Sequence, residues 1–559
     1  MINSANSIKK VVIVGGVAGG ANVAARLRRL NEKVEIVMFE RGGYVSFANC
    51  GLPYHIGGEI ADRQKLLVHT PESLLKRFNI NVHINSEVLS INREEKFVTV
   101  KDRESGKEFE EYFDVLVLSP GATPIRPAIK GIDLPGIFSL RDIHDMDAII
   151  EKLSSRRPKN VLVVGGGFIG LEMIEQFKHR FASADVKLSL IESNPHVLAP
   201  LDSEMVARIE EELIKNGVNL YLNDPVTGFE PLEDGIAAFT KSGEKIEADF
   251  VLFNIGVRPE TSLAVDAGLE IGARGGIKVD SQLRTGDQSI FALGDCIETS
   301  HLVTGESGVI PLAGPANRQG RIVADVICGI DSHYKGSLGT AILRVFGLTA
   351  AVTGANEKTL NRLGIESQSV FLHPSSHASY YPGACSMSVK LIYSPETRKI
   401  LGAQAVGADG VDKRIDVIAT AIYAGLTIDD LTDLELCYAP PFSSAKDPVN
   451  LAGMIAQNVE QNLVQILHPN DLAAENSPSF LLDVRDEDER EKGFIPTSKH
   501  IPLNELRGRL SEIPRDKPLI VYCQSGQRSY NACRILMQNG FQCKNLSGAY
   551  KTWSAISSG

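Results

Sequence analysis

Two strand–glycine turn–helix–strand units, one turning at Gly15 and the other at Gly165, narrow the folds open to this chain more than any other feature. The first unit runs from the apolar strand Lys9–Val14 through Gly15-Gly16-Val17-Ala18-Gly19-Gly20 into the helix ANVAARLRRL, then into VEIVMFE ending on Glu40. The second runs from Asn160–Val164 through Gly165-Gly166-Gly167-Phe168-Ile169-Gly170 into LEMIEQFKHR and VKLSLIE, ending on Glu192. Near-continuous apolar strands of this kind belong to parallel sheets covered on both faces. The second turn is a complete Gly-x-Gly-x-x-Gly. Gly165 makes the turn, Gly167 lets a pyrophosphate approach the backbone, and Gly170 packs helix on strand. The helix N-terminus supplies amides and partial positive charge, and Glu192 stands where a ribose hydroxyl is received. The first turn is less regular, with Val17 at the middle position, but Glu40 keeps the acceptor.

Three more segments extend the pattern. DVLVLS leads into the turn PGATP with Gly121, DFVLFNIGVRP follows the second unit, and SIFALGD ends on Gly294-Asp295. The order GGVAGG, SPGATP, GGGFIG, FALGDC resembles the pyridine-nucleotide disulfide oxidoreductases over roughly Lys9 to Met454. That resemblance implies FAD on Gly15, Gly16, Gly20, Glu40, Gly121, Gly294 and Asp295. It implies NADH or NADPH on Gly165, Gly167, Gly170 and Glu192. The carboxylate of Glu192 favours a free 2′-hydroxyl over a 2′-phosphate.

The segment Ser46-Phe47-Ala48-Asn49-Cys50 follows the first unit. Many family members carry a cysteine pair here, but position 45 is Val and position 55 is His. A lone cysteine beside a flavin can cycle by pairing with an external thiol or as a sulfenic acid. The segment resembles that of coenzyme A-disulfide reductases, which form a mixed disulfide with coenzyme A. NADH oxidases and peroxidases are the alternative. Arg26 and Arg29 share a helix face, and guanidinium groups suit phosphate. By resemblance they would hold coenzyme A with Asn22, Ser46, Asn49 and Lys76; a solvated arginine face is the competing reading. Tyr438 and Tyr380, again by resemblance, would reach the active site of a homodimer partner, although Tyr381 confuses the register.

Beyond Phe480 a further α/β unit places Cys523 between the strand IVYC and the helix YNACRILMQNG, in the loop Gln524-Ser525-Gly526-Gln527-Arg528-Ser529. Loop amides and the helix dipole favour a thiolate or persulfide there. The pattern resembles a rhodanese domain, with Cys523 as sulfur carrier, Arg528 closing the loop and Asp483 supporting it. Phe494 stands where many rhodaneses have His. The alternatives are an inert module, or a non-enzymatic redox-sensing sulfur carrier.

The expected fold class is therefore α/β: two Rossmann-like dinucleotide-binding domains, an α+β dimerisation domain and a C-terminal rhodanese domain. The expected boundaries are 1–115 with 255–342 for FAD, 116–254 for NAD(P)H, 343–457 for dimerisation, a linker at 458–476 and rhodanese at 477–559. The formal charge of 58 − 69 = −11 argues against a general nucleic-acid or membrane-surface role. No apolar run reaches the ~18 residues of a membrane span. Eight cysteines without a Cys-x-x-Cys pair indicate neither a zinc site nor a disulfide framework. With no secretory leader visible, a reducing cytoplasm is expected.

Overall fold

The computed structural model describes residues 8–472 and 479–557. They fall into two compact units, Met1–Ser193 with Tyr221–Gly339, and Asn194–Leu220 with Thr340–Gly559.

The first unit contains the duplicated nucleotide fold. In one copy, strand Lys10–Val14 lies in mid-sheet between Glu35–Phe39 and Val115–Leu118, with Asn81–His83 and Ile290–Ala292 outside them, all parallel. In the other, Asn160–Val164 lies between Lys187–Ile191 and Phe250–Phe253, with Ile137–Phe138 beyond. Both central strands are buried from their second residue onward, as strands covered on both faces must be. Each copy also carries a three-stranded antiparallel sheet, Ser86–Tyr112 in one and Val226–Ala248 in the other. Strand Val115–Leu118 belongs wholly to the first sheet, so the expected boundary at 115 falls inside an element.

The second unit opens on an antiparallel sheet in the order Ala341–Val345, Leu348–Gly354, Ile400–Gly407, Met387–Tyr393, Gln368–Leu372. It continues into a parallel sheet in the order Gln465–Leu467, Cys543–Leu546, Leu519–Tyr522, Phe480–Asp483, Lys499–His500. Two expectations are corrected here. The supposed linker 458–476 begins inside the helix Pro448–Glu460 and then supplies Gln465–Leu467, an edge strand of the second sheet. Residues 473–476 of it lie outside the described residues, as do 1–7, 477–478 and 558–559 of the flanking domains. Residues 194–220, expected in the nicotinamide domain, group instead with the second unit.

What ties them there is Lys390. It sits fully buried in mid-strand, 2.7 Å from Asp202, Glu204 and Glu357. Burial alone would raise the Glu204 carboxyl, but attraction to Lys390 outweighs it and holds the group below its ordinary value. Lys390→Met would leave three carboxylates without their cation. It should cost about 3–5 kcal/mol, the usual loss on breaking a buried ion pair, read as a lower urea midpoint. Because the Glu204 value is depressed on folding, its contribution is complete above ~4.3 and fades as pH falls through the folded value. Acid titration of the variant should therefore show a shallower loss of stability than the wild-type protein.

Candidate functional site

The glycines of both loops are held by backbone proximity. A Cβ on Gly15, whose φ is +94°, would stand 2.1 Å from the Ser119 carbonyl oxygen, and one on Gly20 would stand 1.9 Å from that of Gly15. The second copy repeats this, with 2.2 Å from Gly165 to the Asn254 carbonyl and 1.9 Å from Gly170 to that of Gly165. Gly167 differs: nothing lies within 4 Å of its Cβ position, which leaves room for a pyrophosphate. Its φ of −81° is open to any residue, which explains why Val17 fits the matching place. Glu40 accepts the amides of Gly16 and Gly42, each at 2.9 Å, and burial pushes its carboxyl up against those two bonds. Glu192 accepts the Gly166 amide at 2.7 Å. A cavity of about 410 Å³ beside Glu40 is lined by Arg41, Gly42, Asn85, Arg103, Asp142 and His144 among others. The buried Nδ2 of Asn254, against the Gly165 turn, has no hydrogen-bond partner among the described residues. Close-approach glycines, a carboxylate just past each second strand, an open cradle and an unspent donor suit FAD in the first fold and a nicotinamide nucleotide in the second.

Cys50 lies in a single 3₁₀ turn, Asn49–Gly51, ahead of the helix Leu52–Gly57. The segment is fastened to the first glycine loop by the Ser46 amide, which donates to the Gly16 carbonyl at 2.8 Å. Ser46 itself has φ +50°, a strained conformation of the kind that gathers at functional sites. Cys50 is solvent-exposed at its surface yet surrounded by enough protein that desolvation raises its thiol pKa. Glu172 and Asp295 raise it further, while Arg141 lowers it. Arg141 also donates to Asp295 at 3.1 Å, and Tyr54 reaches Glu172 at 3.4 Å. Asp295 follows Gly294, whose amide is taken by Gln319 at 2.8 Å. Gly121 has φ +79°, and a Cβ there would press on Arg141 Nη2 at 3.1 Å. Arg141, Glu172 and Asn254 escaped the sequence reading, because only the fold brings them to the loops.

The basic helix face is divided. Arg26 is an ion-pair partner of Asp325 at 2.8 Å, and Asn22 donates to Asn317 at 2.9 Å. Arg29 and Lys76 are exposed. Arg28 joins their two helices by donating to the carbonyls of Phe78 and Asn79, both at 2.8 Å. A phosphate thus meets Arg29 and Lys76 freely, but must compete with Asp325 for Arg26.

In the second unit the Tyr380 and Tyr438 hydroxyls meet at 3.1 Å, and this bond raises the Tyr380 hydroxyl above its ordinary value. Tyr381 packs edge-on against His377 instead, so Tyr380 is the partner of Tyr438. Tyr380, Tyr438 and Phe442 are 75%, 51% and 70% exposed, an aromatic patch well suited to a partner surface. Cys523 is fully buried at the end of its strand. Its sulfur accepts from the Gly526 amide at 3.1 Å and the Ser529 hydroxyl at 3.4 Å, the arrangement an anionic sulfur needs. Arg528 binds Asp486 at 2.7 Å and Glu489 at 2.6 Å, clamping the loop to the preceding turn. Asp483 is buried under Arg485, Arg490 and Tyr522. Burial raises its carboxyl, but hydrogen bonds from Arg485 prevail and hold it low. It supports the loop without touching the sulfur.

Residues 9–320 match the model of the pyridine nucleotide-disulphide oxidoreductases. The chain belongs to that family. Residues 340–448 match its dimerisation domain and 468–556 a rhodanese-like domain. Coenzyme A disulfide reductase of Staphylococcus haemolyticus (strain JCSC1435) is 35% identical over 453 residues, which is 81% of this chain and all of that protein. The crystal structure of reduced Bacillus anthracis CoADR-RHD superposes with a TM-score of 0.95 at 48% identity, covering 98% of each chain. The NAD-dependent persulfide reductase from A. fulgidus gives 0.92 at 38% identity, covering 97% of this chain and 100% of its own. In this setting the family's cysteines sort by environment. Cys296, beside Asp295, is fully buried and its pKa is pushed up to about 12, leaving roughly one ten-thousandth or less as thiolate at about pH 8 and below. After reduction, iodoacetamide followed by peptide mass spectrometry should alkylate Cys50 and leave Cys296 untouched in the native protein. Equal labelling of the two would remove the distinction.

Proposed function

We propose that the chain is an FAD-dependent NAD(P)H reductase of coenzyme A disulfide and coenzyme A persulfide, with an attached rhodanese domain that handles sulfane sulfur. The observation that carries this reading is the single thiol of Cys50, within the electrostatic reach of Arg141, Glu172 and Asp295 on a segment pinned to the first glycine loop, with no second cysteine at position 45 or 55. Without a resolving cysteine nearby, the mixed disulfide must form with the substrate.

The Cys50 thiolate attacks the sulfur of the coenzyme A end. A bond forms between Cys50 and coenzyme A, and the original sulfur–sulfur bond breaks. Coenzyme A thiolate leaves from the disulfide, or hydrosulfide from the persulfide. FAD, which Gly15, Gly16, Gly20, Glu40, Gly294 and Asp295 would hold, would supply electron-pair transfer from the nicotinamide, and on receiving that pair the mixed disulfide would part into Cys50 thiolate and free coenzyme A. Arg141 offsets the negative surroundings of Cys50, favouring the attacking anion. Arg29 and Lys76, with Asn22, Arg26, Ser46 and Asn49, are assigned to coenzyme A. Tyr438 and Tyr380 of the partner subunit are assigned to protonating the leaving thiolate, which makes the homodimer the working form. The exposed tyrosine pair and the match to a dimerisation domain support this. No helix among the described residues is long and apolar enough to cross a membrane. We place the protein in the cytoplasm, supported by its eight unpaired cysteines.

Cys50→Ser should keep its flavin spectrum and lose turnover of coenzyme A disulfide by at least about 1,000-fold, since a serine hydroxyl is far too weak an acid to replace the thiol. Near-normal turnover would sink the reading, and equal NADH consumption with oxygen alone in the parent would favour a sulfenic-acid oxidase. NADH should serve at least as well as NADPH, because Glu192, assigned here to the ribose, would accept from a 2′-hydroxyl and repel a 2′-phosphate. Steady-state kcat/KM with the two nucleotides decides this. Cys523→Ser should spare reduction of coenzyme A disulfide but abolish sulfur transfer from a persulfide donor to cyanide, measured as thiocyanate.

A further inference from the structure

Three basic side chains converge in the second unit with no acid among them. Arg208 comes from the helix Ser203–Lys215, His373 from the end of the strand Gln368–Leu372, and Lys551 from the helix Ala549–Ser557. Arg208 Nη1 donates to Ser388 Oγ at 2.8 Å and to the Val406 carbonyl at 3.2 Å. Lys551 Nζ donates to Ser386 Oγ at 2.6 Å. His373 Nε2 lies 3.1 Å from the Gly548 carbonyl, which can only accept, so the neutral ring carries its proton there. Its Nδ1 then accepts from the Ser388 hydroxyl at 2.8 Å.

Arg208 and the charged Lys551 repel one another, and both disfavour a charge on His373. Burial first, and the neighbouring Arg208 second, lower Lys551 to about 8. Burial, then Lys551 and Arg208, lower His373 to about 3. Neither Arg208 nor Lys551 makes an ion pair among the described residues. Elsewhere in this unit, by contrast, Lys390, Arg398, Arg414 and Arg485 each hold a carboxylate. Glu211 and Glu212, on the helix of Arg208, act on it only from a distance. Donors are also left over. Nε and Nη2 of Arg208, and two of the three protons of Lys551, have no acceptor among the described residues. Arg208 and Lys551 are half-buried, and cations gathered without an acid repel one another in a way that a bound anion would relieve. Leftover N–H groups on two cations, flanked by the Ser386 hydroxyl, match a tetrahedral oxyanion.

We propose that Arg208 and Lys551, with Ser386 beside them, bind a doubly charged tetrahedral oxyanion: phosphate, sulfate, or the sulfonate end of thiosulfate. The place gives such an anion a reason to matter. The helix bearing Lys551 is tied to the sulfur loop, since the Tyr550 amide donates to the Cys523 carbonyl at 3.0 Å and the Lys551 amide to that of Gln524 at 3.2 Å. An anion on Lys551 therefore fastens the helix against which the Cys523 loop is built. The same chemistry could be presented by free inorganic anion or by a phosphate group of coenzyme A.

The test is differential labelling of amines in the intact wild-type protein near pH 8, read by peptide mass spectrometry, with exposed Lys492 as internal standard. Lys551 should be labelled faster than Lys492 in chloride. Sulfate, phosphate or thiosulfate at matched ionic strength should protect it saturably, because the bound anion holds the ammonium charged. Arg208→Gln should weaken that protection by about tenfold, the loss of one charge-assisted contact, with its melting profile confirming a folded protein. Protection by coenzyme A at far lower concentration than by inorganic phosphate identifies the carrier's phosphate as the ligand. Equal potency of the two identifies the free anion. Lys551 labelling that no oxyanion alters, or protection that survives intact in Arg208→Gln, overturns the proposal.

Discussion

The contact on which the first unit depends is between two pieces of backbone: the glycine at the end of each central strand lying against the carbonyl of the neighbouring strand's exit. Gly15 meets Ser119 and Gly165 meets Asn254 at distances that exclude a side chain. That contact sets where the helix begins, where its amides point, and where Glu40 and Glu192 can fold back onto the loop. The redox segment inherits the same reference frame, because the Gly16 carbonyl receives the Ser46 amide. Cys50 is thus positioned from the phosphate loop itself, and a shift in one moves the other.

Three cysteines show how one residue type is given different work by its surroundings. Cys296 adjoins Asp295, but complete burial leaves it a packing group. Cys50 keeps an exposed face and a nearby arginine among carboxylates, so its charge is open to adjustment by whatever binds beside it. Cys523 is as buried as Cys296, yet its sulfur receives an amide and a hydroxyl proton. Burial removes reactivity only where no donor awaits the charge.

The sequence patterns that could be read were the local ones. Near-continuous apolar runs ending in glycine turns revealed the duplicated fold, and the fingerprint glycines lie at the strand–helix turns their spacing implied. Helical spacing relates Arg26 to Arg29 but carries no information about what either meets, and Asp325, the partner of Arg26, lies 299 positions further on. Gln465–Leu467 reads as linker in sequence because three residues are too few to show a period; pairing with Cys543–Leu546 makes them a strand. The Tyr380 register became clear only through the 3.1 Å bond to Tyr438. Lys390 and its acids, and the basic cluster at Lys551, join residues from distant segments, where no window along the chain can see them.

That separation has a consequence for how the molecule is made. Asp202 leaves the ribosome 188 residues before the lysine that neutralises it. At roughly 5–20 residues per second, the acidic segment waits about 10–40 s with its partner not yet synthesised. The helix Ser203–Lys215 must therefore spend that interval exposed, or be sheltered by a chaperone. A pause in translation between the two would lengthen the time for which these carboxylates stand without their cation.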